Sequence, residues 1–198
     1  MKENCASLIM MMCLVLLLMP GAQTSSMGDM DVYRASEDCG KWRVSFNWSE
    51  MDAYKTSVSH GDTESGDIKI LTDTLVLTSP AEKQRVVKVA VMQYSSRDPS
   101  IVNSSHLMSL ANETLSKSGV CGGSKVAMRS VDGKLGAFAS GIKCSSGEPV
   151  FTAAYPVDYY LDRPGGVLAS DAVGVIISTY GQDATERLIG SIKIEQTR

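Results

Sequence analysis

The chain has 198 residues, 43% of them hydrophobic, 21% charged and 6% aromatic, with 19 basic against 22 acidic residues and a net charge of −3. That length suits one domain, or one domain with an appendage. The hydrophobic fraction is too high for a disordered chain, and the balanced charge lacks the basic excess of a phosphate-tracking nucleic-acid binder. The two histidines, His60 and His106, argue against multi-histidine metal chemistry.

Leu8 to Met19 is an unbroken apolar run, preceded by Lys2 and followed by Pro20-Gly21-Ala22-Gln23-Thr24-Ser25-Ser26. As a helix the run would span about 18 Å, short of a ~30 Å hydrocarbon core. A short apolar run with a basic start and a small-residue exit predicts a secretory signal peptide over residues 1–26. An uncleaved anchor is the alternative. No second run of this kind follows, so no membrane span is expected after cleavage, and the expected address is the extracellular space or the exterior of the cell envelope. Three sequons, at Asn47, Asn103 and Asn112, are potential glycosylation sites that suit that address.

Residues 27–40 are polar, acidic and without period, which predicts a flexible N-terminal arm before a single domain over 41–198. Lys41 to Trp48 alternates Trp42, Val44, Phe46 and Trp48 with polar residues, the period of a half-buried strand. Ser49 to Gly66 is polar and is read as a loop. Ile68 to Thr78 and Arg85 to Tyr94 are β-branched runs around a short polar connection, hence a hairpin. In Ser104 to Ser118, Leu107, Leu110, Ala111, Thr114 and Leu115 form one helical stripe, with Asn103 or Ser104 as cap and Gly119 at the C′ position.

Lys125 to Val131 and Lys134 to Lys143 flank Asp132-Gly133, the strongest hairpin signal in the chain. Val150 to Tyr155 and Ala172 to Tyr180 are further strands, separated by a long loop, Pro156 to Asp171. A last helix opens at Asp183 as cap and buries Ala184, Leu188, Ile189 and Ile192; Glu195 to Arg198 is a polar tail. The expected class is α+β: a mostly antiparallel sheet of about six to seven strands with two packed helices.

With Cys5 and Cys13 in the signal, Cys39, Cys121 and Cys144 remain for an oxidising compartment. If Asp132-Gly133 are the two turn residues, cross-strand partners sum to 265, and 121 and 144 make that sum. A Cys121–Cys144 disulfide is expected, leaving Cys39 free.

The strand Trp42-Arg43-Val44-Ser45-Phe46 and the closing helix ending Gly190-Ser191-Ile192-Lys193-Ile194, in this element order, resemble the PsbP-like fold, an antiparallel sheet sandwiched by helices. The resemblance implies a small secreted ancillary or binding module rather than an enzyme, and carries over no functional residue.

Catalytic signatures are missing. There is no Gly-x-Ser-x-Gly elbow. Gly119 to Lys125 is glycine-rich but runs from a helix into a strand, the reverse of a P-loop. Asp62, Glu64 and Asp67 offer oxygen ligands for a hard cation, without EF-hand spacing, and a solvated turn is the simpler reading. Tyr155, Tyr159 and Tyr160 with Arg163 suggest a contact surface for an extracellular protein or glycan, because a ring stacks while its hydroxyl bonds; packing of Tyr155 and Tyr160 on the sheet edge is the alternative. No cofactor is expected. The sequence thus points to a secreted, non-catalytic binding or ancillary module, with a secreted hydrolase of dispersed active site as the other reading.

Overall fold

The computed structural model describes residues 33–48, 54–65, 68–95, 102–161 and 167–197, without the side chains of 33, 65, 122–124, 159–161 and 167–170. All of these lie in the unit Val32–Arg198. The expected signal segment falls outside the described residues.

Two antiparallel sheets hold ten strands among the described residues. The smaller contains β1 (Tyr33–Cys39), β2 (Trp42–Trp48) and β10 (Lys193–Gln196), in the order β1-β2-β10. The larger is built from β3 (Lys55–Ser65), β4 (Ile68–Thr78), β5 (Val86–Ser95), β6 (Val120–Val131), β7 (Lys134–Lys143), β8 (Pro149–Leu161) and β9 (Val167–Ser178). Its order is β3-β4-β5-β9-β8-β7-β6. The helices are α1 (Ser104–Lys117) and α2 (Gln182–Ser191).

This corrects the α+β expectation: the chain is predominantly β. Three strands had no apolar alternation to betray them. β1 occupies part of the supposed arm, β3 part of the supposed loop at 49–66, and β10 part of the supposed tail. The loop expected over 156–171 is mostly strand as well, because β8 runs on to Leu161 and β9 starts at Val167.

Alternation along each strand decides what each face of the large sheet buries. Leu75, Leu77, Val87, Val89, Val91, Phe151, Ala153, Tyr155 and Ile176 point to one face. There they meet Trp42, Val44, Phe46 and Trp48 of the small sheet and Leu188, Ile189 and Ile192 of the α2 end. Trp48 packs edge-on against Tyr180, ring centroids 4.9 Å apart. The opposite face carries Ala137, Ala139, Val150, Ala154, Val173 and Val175, covered by Leu107, Ala111 and Leu115 of α1.

The expected stripe of α1 is therefore its buried one, and Asn103 is its cap, the Oδ1 accepting from the backbone N–H of His106 at 2.9 Å. Ala111 is small enough for the helix to settle on the sheet, where the buried Thr152 hydroxyl donates to the Ala111 carbonyl at 2.9 Å. α2 starts two residues earlier than expected: Gly181, not Asp183, is its N-cap, its carbonyl taking the Thr185 N–H at 3.0 Å, and no side chain caps it.

The Asp132-Gly133 turn forms as expected, with φ of 51° and 71°. Partners sum to 265 from Val131↔Lys134 out to Lys125↔Ser140, after which a bulge at 122–124 shifts the register so that Cys121 faces Ile142. Cys144 then lies just beyond the end of β7, its N–H on the Gly119 carbonyl at 2.9 Å, and its sulfur is at bonding distance from that of Cys121. The pair is the expected one; the ladder position used to derive it is not. Cys39 is free and buried.

Candidate functional site

Of the expected tyrosine surface, only Tyr155 has a described side chain. It is fully buried in the main core, its hydroxyl without a hydrogen-bond partner among the described residues. Gly136 and Gly174 make room for it, since a Cβ at either would stand 2.9 Å from its side chain. Burial first, and then the Asp132 charge, push the phenol well above its usual range. Tyr159 and Tyr160 are not loop residues but strand residues, opposite Ala169 and Leu168 across a bulge. Arg163 lies outside the described residues.

The acidic candidates are also in a strand. Asp62 and Glu64 stand exposed on β3, and Lys69 of β4 reaches both, at 3.7 and 4.0 Å. Asp67 falls outside the described residues, and among those residues no cluster of three metal-ligating side chains occurs. Asn47, Asn103 and Asn112 are all exposed.

Both histidines have partners. His106 is half-buried, with Nε2 3.1 Å from the Tyr94 hydroxyl, and burial lowers its pKa. His60 Nδ1 is 2.6 Å from Asp73 Oδ1. The pair borders a hollow of about 370 Å³ lined by Gly40, Lys41, Trp42, Leu71 and Gln93, with the Lys41 ammonium on the Gln93 amide oxygen. Gly40, at φ 63°, is pressed onto Asp73, whose carboxylate would sit 2.7 Å from any added Cβ.

A histidine–carboxylate pair beside a hollow is half of a nucleophile-activating arrangement. The lining includes no serine or cysteine among the described residues, and its one hydroxyl, on Thr72, is not hydrogen-bonded to His60. The nearby Cys39 thiol is fully buried, and desolvation, then Asp73, push it up to about 11. His60 and Asp73 are direct cross-strand partners of β3 and β4. The geometry is that of a pair joining two strands, and His60 remains 63% exposed.

A second hollow, of about 410 Å³, lies on the opposite face of the sheet, where the C-terminal end of α1 meets β5, β9 and β8. α1 lies over β6, β7 and β8 and barely reaches β9, so a corner stays open. Lys88↔Ile177↔Thr152 form one row across the strands. Val86, Thr179 and Val150 form the next row, with Thr179 N–H on the Val86 carbonyl at 3.0 Å. Val86, Val150 and Ile177 make an apolar floor, and Lys88, Lys117 and Lys143 approach it from β5, from α1 and from the end of β7.

Of the three hydroxyls around this floor, on Thr114, Ser118 and Thr179, the last two are engaged with backbone atoms. Thr179 Oγ1 donates to the Gln84 carbonyl and accepts from the Val86 N–H, both at 2.8 Å, and Ser118 Oγ donates to the Thr114 carbonyl at 2.9 Å. The three ammonium groups differ in their partners. Lys117 pairs with Glu113 at 2.7 Å on the exposed helix surface, Lys143 lies 3.8 Å from Glu148, and Lys88 has no ion pair among the described residues. Such a site offers positive charge at the rim and apolar contact at the base. Among the described residues its lining has no histidine, no carboxylate and no aromatic platform.

Sequence reasoning passed over these residues. One signal was available: Lys88 is the single charge within the apolar run Val86 to Tyr94 of a strand that has neighbours on both sides. A charge in such a strand points to an uncovered part of the sheet face. Compared with models of known families, with curated proteins and with solved structures, the chain matches none of them.

Proposed function

We propose that the protein is a secreted, non-catalytic binding module whose ligand site is the hollow between the end of α1 and strands β5, β9 and β8. The observation that carries this is the pairing of an apolar floor (Val86, Val150, Ile177) with three lysines at the rim. Concave sites of roughly 300–1,000 Å³ with few polar groups are the usual form of small-molecule sites. The export reading rests on the apolar run Leu8 to Met19, the bonded pair Cys121–Cys144 and three exposed sequons. The PsbP-like resemblance belongs to the same proposal and adds an ancillary role to it.

A thermal-shift panel of small sugars, anions and amphiphiles tests the site, run on the native protein and on Ile177→Trp, whose ring would fill the floor. At least one compound is expected to raise the native melting temperature by several degrees and to leave the variant unmoved. Equal shifts in both proteins would place binding elsewhere. Chemical conversion of a bound compound would support the hydrolase reading instead. Export is checked separately, by N-terminal sequencing of the protein from its own cells, with a start near Ser25 to Met27 expected and an intact Met1 in a membrane fraction as the contrary result.

A further inference from the structure

The chemistry of the hollow selects among ligands, and we infer that it takes a single-chain amphiphile with one anionic head, a medium-chain fatty carboxylate being the simplest case. This inference rests on the binding-site reading above. A neutral sugar needs free hydrogen-bonding groups and a ring to stack on. Here no aromatic side chain lines the hollow among the described residues, and Thr179 and Ser118 spend their hydroxyls on backbone atoms, which leaves Thr114 and Gln84 as the uncharged polar side chains of the lining. A small inorganic anion would leave the β-branched floor of Val86, Val150 and Ile177 without a partner.

An amphiphile satisfies both parts. Its chain lies on the half-buried Val86 and Ile177, toward the fully buried Val150, and its head meets the ammonium groups of Lys88, Lys117 and Lys143. Lysine suits this role as a compact point charge on a flexible stem, which reaches a head group without fixing its orientation. Lys88 contributes most, because no carboxylate among the described residues competes for it.

The test is isothermal titration of the full chain with sodium decanoate below its micelle concentration. Parallel titrations use 1-octanol, decyltrimethylammonium, inorganic phosphate and vesicles of phosphatidylglycerol. One molar equivalent of decanoate is expected to bind, at least tenfold more tightly than octanol or phosphate, with no binding of the cationic analogue. Lys88→Gln with Lys143→Gln should weaken decanoate at least tenfold without moving the urea midpoint, and Lys88→Arg should retain binding.

Phosphate binding as tight as decanoate would make this a head-only anion site, and octanol binding as tight would make the lysines irrelevant; either overturns the inference. Binding to vesicles alone would mean a membrane surface and overturns it as well. If the hollow binds another class from the panel and never decanoate, the ligand class fails while the site stands. If decanoate binds equally to Ile177→Trp, the site itself fails.

Discussion

At Tyr155 the side chain that the sequence offered as a contact turns out to be a core residue, and the reason is local. Phe151, Ala153, Tyr155 and Val157 share one face of β8, so parity alone places the tyrosine inward once the strand is known to continue. Pro156 hides that continuation, because proline cannot donate within a ladder. β7 pairs with β8 only as far as Ala137↔Ala154, so at Pro156 one side of β8 has no paired strand and the missing N–H costs nothing there. Because the Tyr155 hydroxyl is buried without a partner, Tyr155→Phe is expected to leave stability unchanged or raise it by about 1 kcal/mol. Tyr155→Ala should cost about 3–5 kcal/mol, by analogy with other large core truncations. Urea unfolding of both variants checks this, and a large loss in Tyr155→Phe would mean that the hydroxyl has a partner after all.

Cys39 gives a pH dependence at the same scale. Burial, and to a smaller extent the Asp73 charge, push its folded thiol up to about 11 from the ordinary 9.0. A raised folded pKa favours the protonated form, so this contribution is complete below pH ~9 and is lost as pH climbs through about 11. Stability should fall by about 2–3 kcal/mol across that window, and Cys39→Ala should remove this part of the pH slope. In the native protein near pH 7.5 the thiol should resist maleimide and react only on unfolding.

At the level of elements, what was legible follows from exposure. β2, β4, β5, β7 and α1 bury a stripe, and their hydrophobic period showed it. β1 and β3 are edge strands, paired on one side only, and Lys55 to Glu64 is exposed throughout. β3 has no face to bury, so nothing requires alternation there, and β1 turns Ala35, Glu37 and Cys39 inward, too polar a set for the period to show. Disulfide pairing was legible through the Asp132-Gly133 turn, although Gly122 and Gly123 let the strand bulge and moved Cys121 opposite Ile142. With a sequence separation of 23, the bond should contribute about 3 kcal/mol, so Cys121→Ser with Cys144→Ser should lower the unfolding free energy by about that amount. Asn103→Ala should cost about 1 kcal/mol through the lost cap of α1. Hydrogen exchange of the first turn would localise that loss.

Across the molecule, the open corner follows from lengths. α1 has 14 residues and is about 21 Å long, while seven strands at about 4.8 Å spacing are about 29 Å across. One such helix cannot cover that face in any orientation. The other face is closed by the small sheet together with α2. The hollow forms where the covering stops, and no sequence motif marks it because its lining comes from α1 and four strands far apart in the chain. Ammonium–carboxylate attraction at an open rim is screened by salt, so decanoate affinity should fall severalfold between 50 and 500 mM sodium chloride.

The most direct measurement is the location of the bound head group. In ¹H–¹⁵N spectra titrated with decanoate, the account expects saturable shifts clustered at Lys88, Thr114, Lys117, Lys143, Ile177 and Thr179. Saturable shifts confined to His60, Leu71 and Asp73 around the opposite hollow, or no saturable shifts at all, would contradict it.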